Sequence, residues 1–257
     1  MSHPPFCVII PARMSSTRLP GKPLADIHGR PMLAWVHDCA LACGSDEIVI
    51  ATDDEVLRSA AEAFGARAVL TSDQHQSGTD RLAEVVDQLA ISDDTIVVNL
   101  QGDEPLMAPE LLRQVARLLA DHPEAALSTL MVPILTQEEF LDASAVKVVA
   151  NDRGEALYFS RAPIPYDRDR QSVEGDVLGF RHLGLYAYRA GFLRRFAHSP
   201  MSRLESLEKL EQLRALSMGE RIAITIAERI PHAGVDTQAD LERVRSVLAR
   251  DGMHAPP

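Results

Sequence analysis

The stretch EIVIATDDEVLRSAAEAFG, Glu47 to Gly65, holds one complete unit of the fold. Glu47 to Ala51 reads as a strand, and Asp54 to Phe64 as a helix that Gly65 stops. Working outward, the same unit recurs. Upstream, Phe6 to Ile10 is short, β-branched and continuously apolar, as a strand buried on both faces requires. Pro31 to Cys43 follows as a helix, with Pro31 in its first turn and Gly44 at its end. Downstream come a strand at Arg67 to Thr71, a helix from about Thr79 to Ala90, a strand at Thr95 to Leu100 and a helix at Pro109 to Ala120. Four successive strand-then-helix units predict an α/β protein with a parallel sheet and helices on both faces.

The pattern then changes. Ala126 to Ile134, Val146 to Val149, Glu155 to Phe159 and Leu183 to Tyr188 are strand-like, with little helix between most of them, and Gly154 predicts a hairpin between the middle two. Arg161 to Gly179 is rich in Pro, Asp, Arg and Gly and reads as a long irregular segment of the kind that binds ligands. Ser202 to Met218 reads as a helix, Ile222 to Ala227 as a strand, and Thr237 to Leu248 as a closing helix capped by Thr237. With no internal repeat or flexible linker, residues 1–257 are expected to form one domain. A mixed-sheet insertion spans about 126–200.

Composition narrows the function. The 257 residues are 46% hydrophobic and 25% charged, which excludes a disordered or collagen-like chain. A formal net charge of −11 argues against a general nucleic-acid or acidic-membrane binder. It leaves room for a local phosphate site. The three cysteines are too few for a disulfide framework and make no zinc site, so a cytoplasmic setting is expected. The run Phe6 to Ile10 is too short for a signal peptide or a membrane span.

Chemistry concentrates where the predicted strands end. Pro11 to Leu24, PARMSSTRLPGKPL, leaves the first strand and sets Arg13, Arg18 and Lys22 among Ser15, Ser16, Thr17 and Gly21. Ligands bind at the carboxyl ends of strands in open α/β sheets, and fixed cations with backbone amides would hold a polyphosphate there, a solvated basic turn being the alternative. The stretch matches neither G-x-x-x-x-G-K-[ST] nor G-x-G-x-x-G, which excludes a Walker loop and disfavours a dehydrogenase. In Gln101-Gly102-Asp103-Glu104-Pro105, Asp103 stands just past a buried strand, suited either to a hard divalent cation or to capping the next turn. In Gly234-Val235-Asp236-Thr237, Asp236 reads as a second such carboxylate or, more readily, as a helix cap beside Thr237. His182 and Tyr186, four apart on a strand, face the same side and read most readily as ordinary sheet residues.

These segments, with HQSGTDR (His75 to Arg81), NLQGDEP (Asn99 to Pro105), LYFSRAPIPYDRDR (Leu157 to Arg170), RHLGLYAYR (Arg181 to Arg189) and LEQLR (Leu210 to Arg214), resemble the CMP-sugar-acid synthetases. Within them they resemble the 3-deoxy-manno-octulosonate (Kdo) cytidylyltransferases, from about Cys7 to Val247. The resemblance implies a mostly parallel, Rossmann-like nucleotidyltransferase sheet of GT-A type. It implies the reaction CTP + Kdo → CMP-Kdo + diphosphate, which activates Kdo for lipopolysaccharide biosynthesis. Lys22, Arg13 and Asp103 would be catalytic. Ala12, Arg13, Ser16, Arg18, Lys22, Ser77, Gly78, Arg81 and Asp103 would bind the nucleotide. Gln101, Arg161, His182, Tyr186, Glu211 and Gln212 would bind the sugar acid, and Asp103 and Asp236 would hold Mg²⁺. The same resemblance implies a homodimer. The rival expectations are CMP transfer to 8-amino-Kdo or a sialic acid, and a non-catalytic nucleotide-binding protein.

Overall fold

Strand β1 (Phe6–Ala12) runs through the middle of the sheet and is buried along nearly its whole length, as its unbroken apolar sequence demands. The computed structural model describes residues 4–15, 18–75, 77–169 and 175–250. After β1 come a two-residue ribbon, β2 (Asp26–Ile27) and β3 (Arg30–Pro31), then α1 (Met32–Ala42), β4 (Glu47–Thr52), α2 (Glu55–Ala63) and β5 (Arg67–Leu70). Next are α3 (Gly78–Gln88), β6 (Ile96–Asn99), α4 (Pro109–Asp121), β7 (Leu127–Ile134), α5 (Gln137–Leu141), β8 (Lys147–Ala150), β9 (Ala156–Ser160) and β10 (Gly179–Arg189). The chain closes through α6 (Ala190–Ala197), α7 (Arg203–Glu208), α8 (Gln212–Ser217), β11 (Ile222–Ile226) and α9 (Gln238–Arg250).

The opening unit forms as its sequence indicates. The Asp54 carboxylate accepts from the N–H groups of Val56 and Leu57 at 2.8 and 3.1 Å and starts α2, and Gly65 ends it at φ 86°. The sheet order is β11-β7-β10-β6-β1-β4-β5. β6, β1, β4 and β5 are mutually parallel, so their carboxyl ends share one edge. The insertion mixes the sheet: β10 runs antiparallel between β6 and β7 and also pairs with β8, which makes the expected hairpin with β9 around Gly154. One face packs against α1, α2 and α4 through Leu33, Val36, Leu57, Leu111 and Val115. The other packs against α3, α6 and α8 through Leu82, Val86, Phe192, Phe196 and Leu213. A third cluster seats α9 (Leu241, Val244, Leu248) on Met32, Trp35 and Val235. That contact brings the end of the chain back to its beginning.

Two expectations are corrected. Ser202 to Met218 is not one helix but two, because Lys209 sits at φ 55°, ψ 44° between α7 and α8. Leucines every three residues give no single apolar face to hold one straight helix together. The short helix α6, which the sequence did not suggest, follows β10 directly. Among the described residues no helix is long and apolar enough to cross a membrane. The three cysteines are all free thiols.

Candidate active site

Three chain segments converge at the carboxyl edge of the parallel strands. The loop after β1 carries Arg13, Arg18 and Lys22, the turn after β6 carries Gln101 to Glu104, and the segment before α9 carries Val235 and Asp236. Lys22 fastens them. Its Nζ donates to Asp103 Oδ2 at 2.7 Å, to the Val235 carbonyl at 2.8 Å and to Asp236 Oδ1 at 3.3 Å. The lysine side chain is only 13% exposed. Gly21, in the left-handed region at φ 68°, turns the backbone into the short 3₁₀ turn that aims Lys22 inward. Arg18 Nη2 lies 3.0 Å from Asp236 Oδ1 but is mostly exposed, so this pair contributes little to stability. The helix-cap reading of Asp236 is thereby corrected. Its carboxylate faces the cations, while Thr237 and Asp240 cap α9 between themselves: Thr237 Oγ1 accepts from the Asp240 N–H at 3.2 Å and the Asp240 carboxylate accepts from the Thr237 N–H at 2.9 Å.

Around this clasp lies a cleft of about 720 Å³ lined by Ala12, Arg13, Arg18, Lys22, Ser77, Gly78, Arg81, Gln101, Asp103 and Asp236, with His75 at its side. Thus every expected nucleotide residue lines one cavity except Ser16, which lies outside the described residues. Its floor is tight. A Cβ on Gly102 would stand 2.7 Å from the Pro11 carbonyl oxygen, so the turn after β6 fits against β1 only with glycine there. At the opposite wall Ser77 caps α3, its Oγ accepting from the Asp80 N–H at 3.1 Å. Arg81 is buried.

A second cavity of about 270 Å³ opens where β10 departs from β6. Gln101 borders both cavities. Asn99, Glu104, Arg181, His182 and His232 also line the smaller one, and of these only His182 was expected from the sequence. Arg181 stands beside it in the block RHLGLYAYR, and Asn99 and Glu104 stand in the block NLQGDEP, where Glu104 reads as a weaker candidate than Asp103 and more readily as structural; for His232 no sequence signal separated it from an ordinary loop residue. β10 is irregular here, with a register shift between Leu183 and Tyr186. His182 and Tyr186 do share a side, their ring centroids 5.2 Å apart, but two inserted residues rather than simple alternation put them there.

The remaining sugar candidates divide. Glu211 Oε2 accepts from Thr79 Oγ1 at 2.7 Å, which ties α8 to the nucleotide wall. Burial raises the Glu211 carboxyl above the usual range. Glu211 Oε1 and the Tyr186 hydroxyl are buried with no hydrogen-bond partner among the described residues, and Gln212 is buried beside Glu211. Arg161 does not join them. Its Nε donates to the Glu208 carbonyl at 2.7 Å and its Nη1 to the Ala143 carbonyl at 3.0 Å, so it braces β9 against α7. His182 donates or accepts at Thr129 Oγ1, 2.9 Å away, and burial, aided by the Arg181 charge, lowers its pKa to about 3. It is neutral at any ordinary pH. Glu104 is the opposite case: burial, then the negative charges of Asp103 and Asp236, push its pKa up to about 8.

The donor set around Lys22 suits a metal as well. Two carboxylate oxygens and a carbonyl converge within 3.3 Å of one cationic nitrogen, and hard oxygen donors of this kind hold divalent cations. Among the described residues no three His, Cys, Asp or Glu form a cage. An ion here would take its remaining ligands from the bound substrates.

Comparison with known proteins agrees with this geometry. The model of a cytidylyltransferase family matches residues 7–222. A 3-deoxy-manno-octulosonate cytidylyltransferase of Vibrio parahaemolyticus is 52% identical over 248 residues, covering 95% of this chain and 98% of that protein. One from Thioalkalivibrio sulfidiphilus is 54% identical over 249 residues, with the same coverage of 95% and 98%. The solved structure of a CMP:2-keto-3-deoxy-manno-octonic acid synthetase complexed with CTP superposes with a TM-score of 0.89 at 41% identity, covering 96% of this chain and all of that one. A chain that shares sequence over nearly its full length and fold with such relatives belongs to the cytidylyltransferase family, among the 3-deoxy-manno-octulosonate cytidylyltransferases.

Proposed function

We propose that the protein transfers CMP from CTP to the anomeric hydroxyl of Kdo, giving CMP-Kdo and diphosphate for lipopolysaccharide assembly. One observation carries this reading: a cation-rimmed cleft of about 720 Å³ shares Gln101 with a cavity of about 270 Å³. The larger suits a nucleoside triphosphate and the smaller a compact sugar acid. In the reaction the hydroxyl oxygen attacks the α-phosphorus and gives up its proton to solvent, the bond from that phosphorus to the bridging oxygen breaks, and diphosphate leaves in line with the electron pair of that bond. Such transfer depends on positioning and charge neutralisation rather than on a covalent intermediate. Arg13 and Arg18 hold the triphosphate, and Lys22 stabilises charge developing on the α-phosphoryl oxygens. Gln101, between the cavities, orients acceptor against donor, and Tyr186, Glu211 and neutral His182 offer hydrogen-bonding atoms to the sugar acid. Asp103 and Asp236 would hold Mg²⁺, which when bound lowers the pKa of a coordinated hydroxyl and neutralises phosphate charge.

On the same reading the chain is a single domain acting in the cytoplasm as a homodimer, with the insertion of about 126–200 serving both the sugar and the partner. The deciding experiment is diphosphate release with CTP and a panel of sugar acids: Kdo, 8-amino-Kdo and a sialic acid. Turnover with Kdo is expected to exceed the others. No release with any of them would leave a nucleotide-binding protein without the transferase activity.

A further inference from the structure

Arg81 differs from the other cations of the cleft. Arg13 and Arg18 rise from a loop, and the Arg18 side chain is 64% exposed. The Arg81 side chain is 5% exposed and is fixed at two points. Its Nη2 donates to Asp53 Oδ2 at 2.7 Å and its Nη1 to Thr71 Oγ1. Thr71 is held in turn, its hydroxyl donating to the Thr52 carbonyl at 3.1 Å and its N–H to the same oxygen at 2.8 Å. Asp53 and Thr71 stand just past the ends of β4 and β5, so two strands and α3 lock one guanidinium in place. Asp53 itself does not line the cleft; it reaches the ligand only through Arg81.

The lock changes what the arginine can do. The Asp53 carboxylate at 2.7 Å balances the guanidinium's charge, so the pair as a whole is formally neutral and attracts phosphate weakly. It remains a rigid fork of N–H donors. Two of its five N–H groups are taken, and among the described residues no other acceptor engages the rest. Charge is thus unevenly matched along the cleft: Arg13, Arg18 and Lys22 share the carboxylates of Asp103 and Asp236 at one end, whereas Arg81 and Asp53 balance one for one at the α3 end. A neutralised, fixed donor reads hydrogen-bonding pattern. Cytosine offers acceptors at O2 and N3, whereas uracil presents an N–H at N3, which faces a donor with a donor. We propose that Asp53 is a positioning residue that sets Arg81 for cytosine and against uracil. The proposal rests on the reading that the Ser77 to Arg81 wall receives the base.

The test compares CTP and UTP turnover in the full chain, with folding checked by circular dichroism. Asp53→Asn is expected to raise the KM for CTP at least tenfold while kcat at saturation falls far less, and to lower the CTP-over-UTP ratio of kcat/KM about tenfold. Asp53→Glu, which keeps the charge, is expected to recover part of that ratio. A merely structural role would lower the melting temperature and leave the ratio alone, so a folded Asp53→Asn protein with the wild-type ratio overturns the proposal. If Asp53→Asn does not fold, Thr71→Val carries the same test, and an unchanged ratio again overturns it. Arg81→Ala separates the two levels. Loss of CTP preference in Arg81→Ala with none in Asp53→Asn removes the positioning role alone. No change in either removes the base wall itself, and the proposal with it.

Discussion

Replacing Asp103 or Asp236 by asparagine keeps the side-chain volume and removes half of the clasp's negative charge. Each change is expected to lower kcat by at least about 10²-fold, roughly 2.7 kcal/mol in the barrier, with the fold intact. Diphosphate release measures this, and near-wild-type turnover by either variant would show that the carboxylates are not where the chemistry occurs. Gly102→Ala acts by steric means, because its Cβ would press on a backbone oxygen 2.7 Å away and move the Asp103 turn against β1. Misplacement of that order costs about 10- to 100-fold in kcat/KM, without the loss of charge. His182 gives a pH signature. Its pKa is about 3 in the folded protein against an ordinary 6.5. Below pH 6.5 the unfolded chain therefore binds a proton that the folded one refuses, and stability falls as pH drops from 6.5 toward 3. Urea midpoints at pH 7 and pH 4 should fall further for the wild type than for His182→Gln; equal losses would mean that His182 does not carry the acid sensitivity. At this scale the sequence was most legible where cations cluster just past a buried strand, as in Pro11 to Leu24, where only a solvated basic turn competes. It was least legible for Arg161, whose partners are backbone carbonyls that no motif records, and for Asp236, where capping and ion pairing ask for the same side chain.

Among the elements, α7 and α8 show how a break can be more informative than a helix. The turn at Lys209 lets α8 swing Glu211 onto Thr79 while Arg214 reaches back to α7. Arg214 Nε and Nη2 hold the Glu205 carboxylate at 2.9 and 2.6 Å, and the guanidinium lies 4.3 Å from the Phe196 ring centroid. Glu205 is 5% exposed. Arg214→Met would strand that carboxylate in the interior, and the expected cost is about 3 kcal/mol, read as a lower urea midpoint. A loss well under 1 kcal/mol would show that water reaches Glu205 and that the lock does not anchor α8. The first four strand-helix units were readable because buried parallel strands are written as unbroken apolar runs between clear stops. The region after Tyr188 was not, since α6 begins with no break from β10 and the leucine spacing of α7 and α8 fits no single face.

The molecule as a whole exposes apolar side chains on its insertion: Leu135, Leu141, Leu157, Tyr166 and Val177 are all more than half exposed. A second copy covering them would make an isologous contact. Light scattering at micromolar concentration is expected to report a dimer, and Leu157→Asp or Tyr166→Asp to shift it toward monomer; a wild-type monomer would overturn this. Strand order was beyond the sequence, because nothing local says that β10 enters between β6 and β7. The same long-range wiring bears on how the protein is made. Lys22 meets the Val235 carbonyl and Asp236 across more than two hundred residues. On a ribosome, the sheet's first strands are made while that lysine still lacks two of its three acceptors. The clasp around Lys22 is therefore complete only once Asp236 has emerged and α9 has docked on Trp35. A nascent chain that stalls before that point holds all four parallel strands β1, β4, β5 and β6 but not the finished clasp.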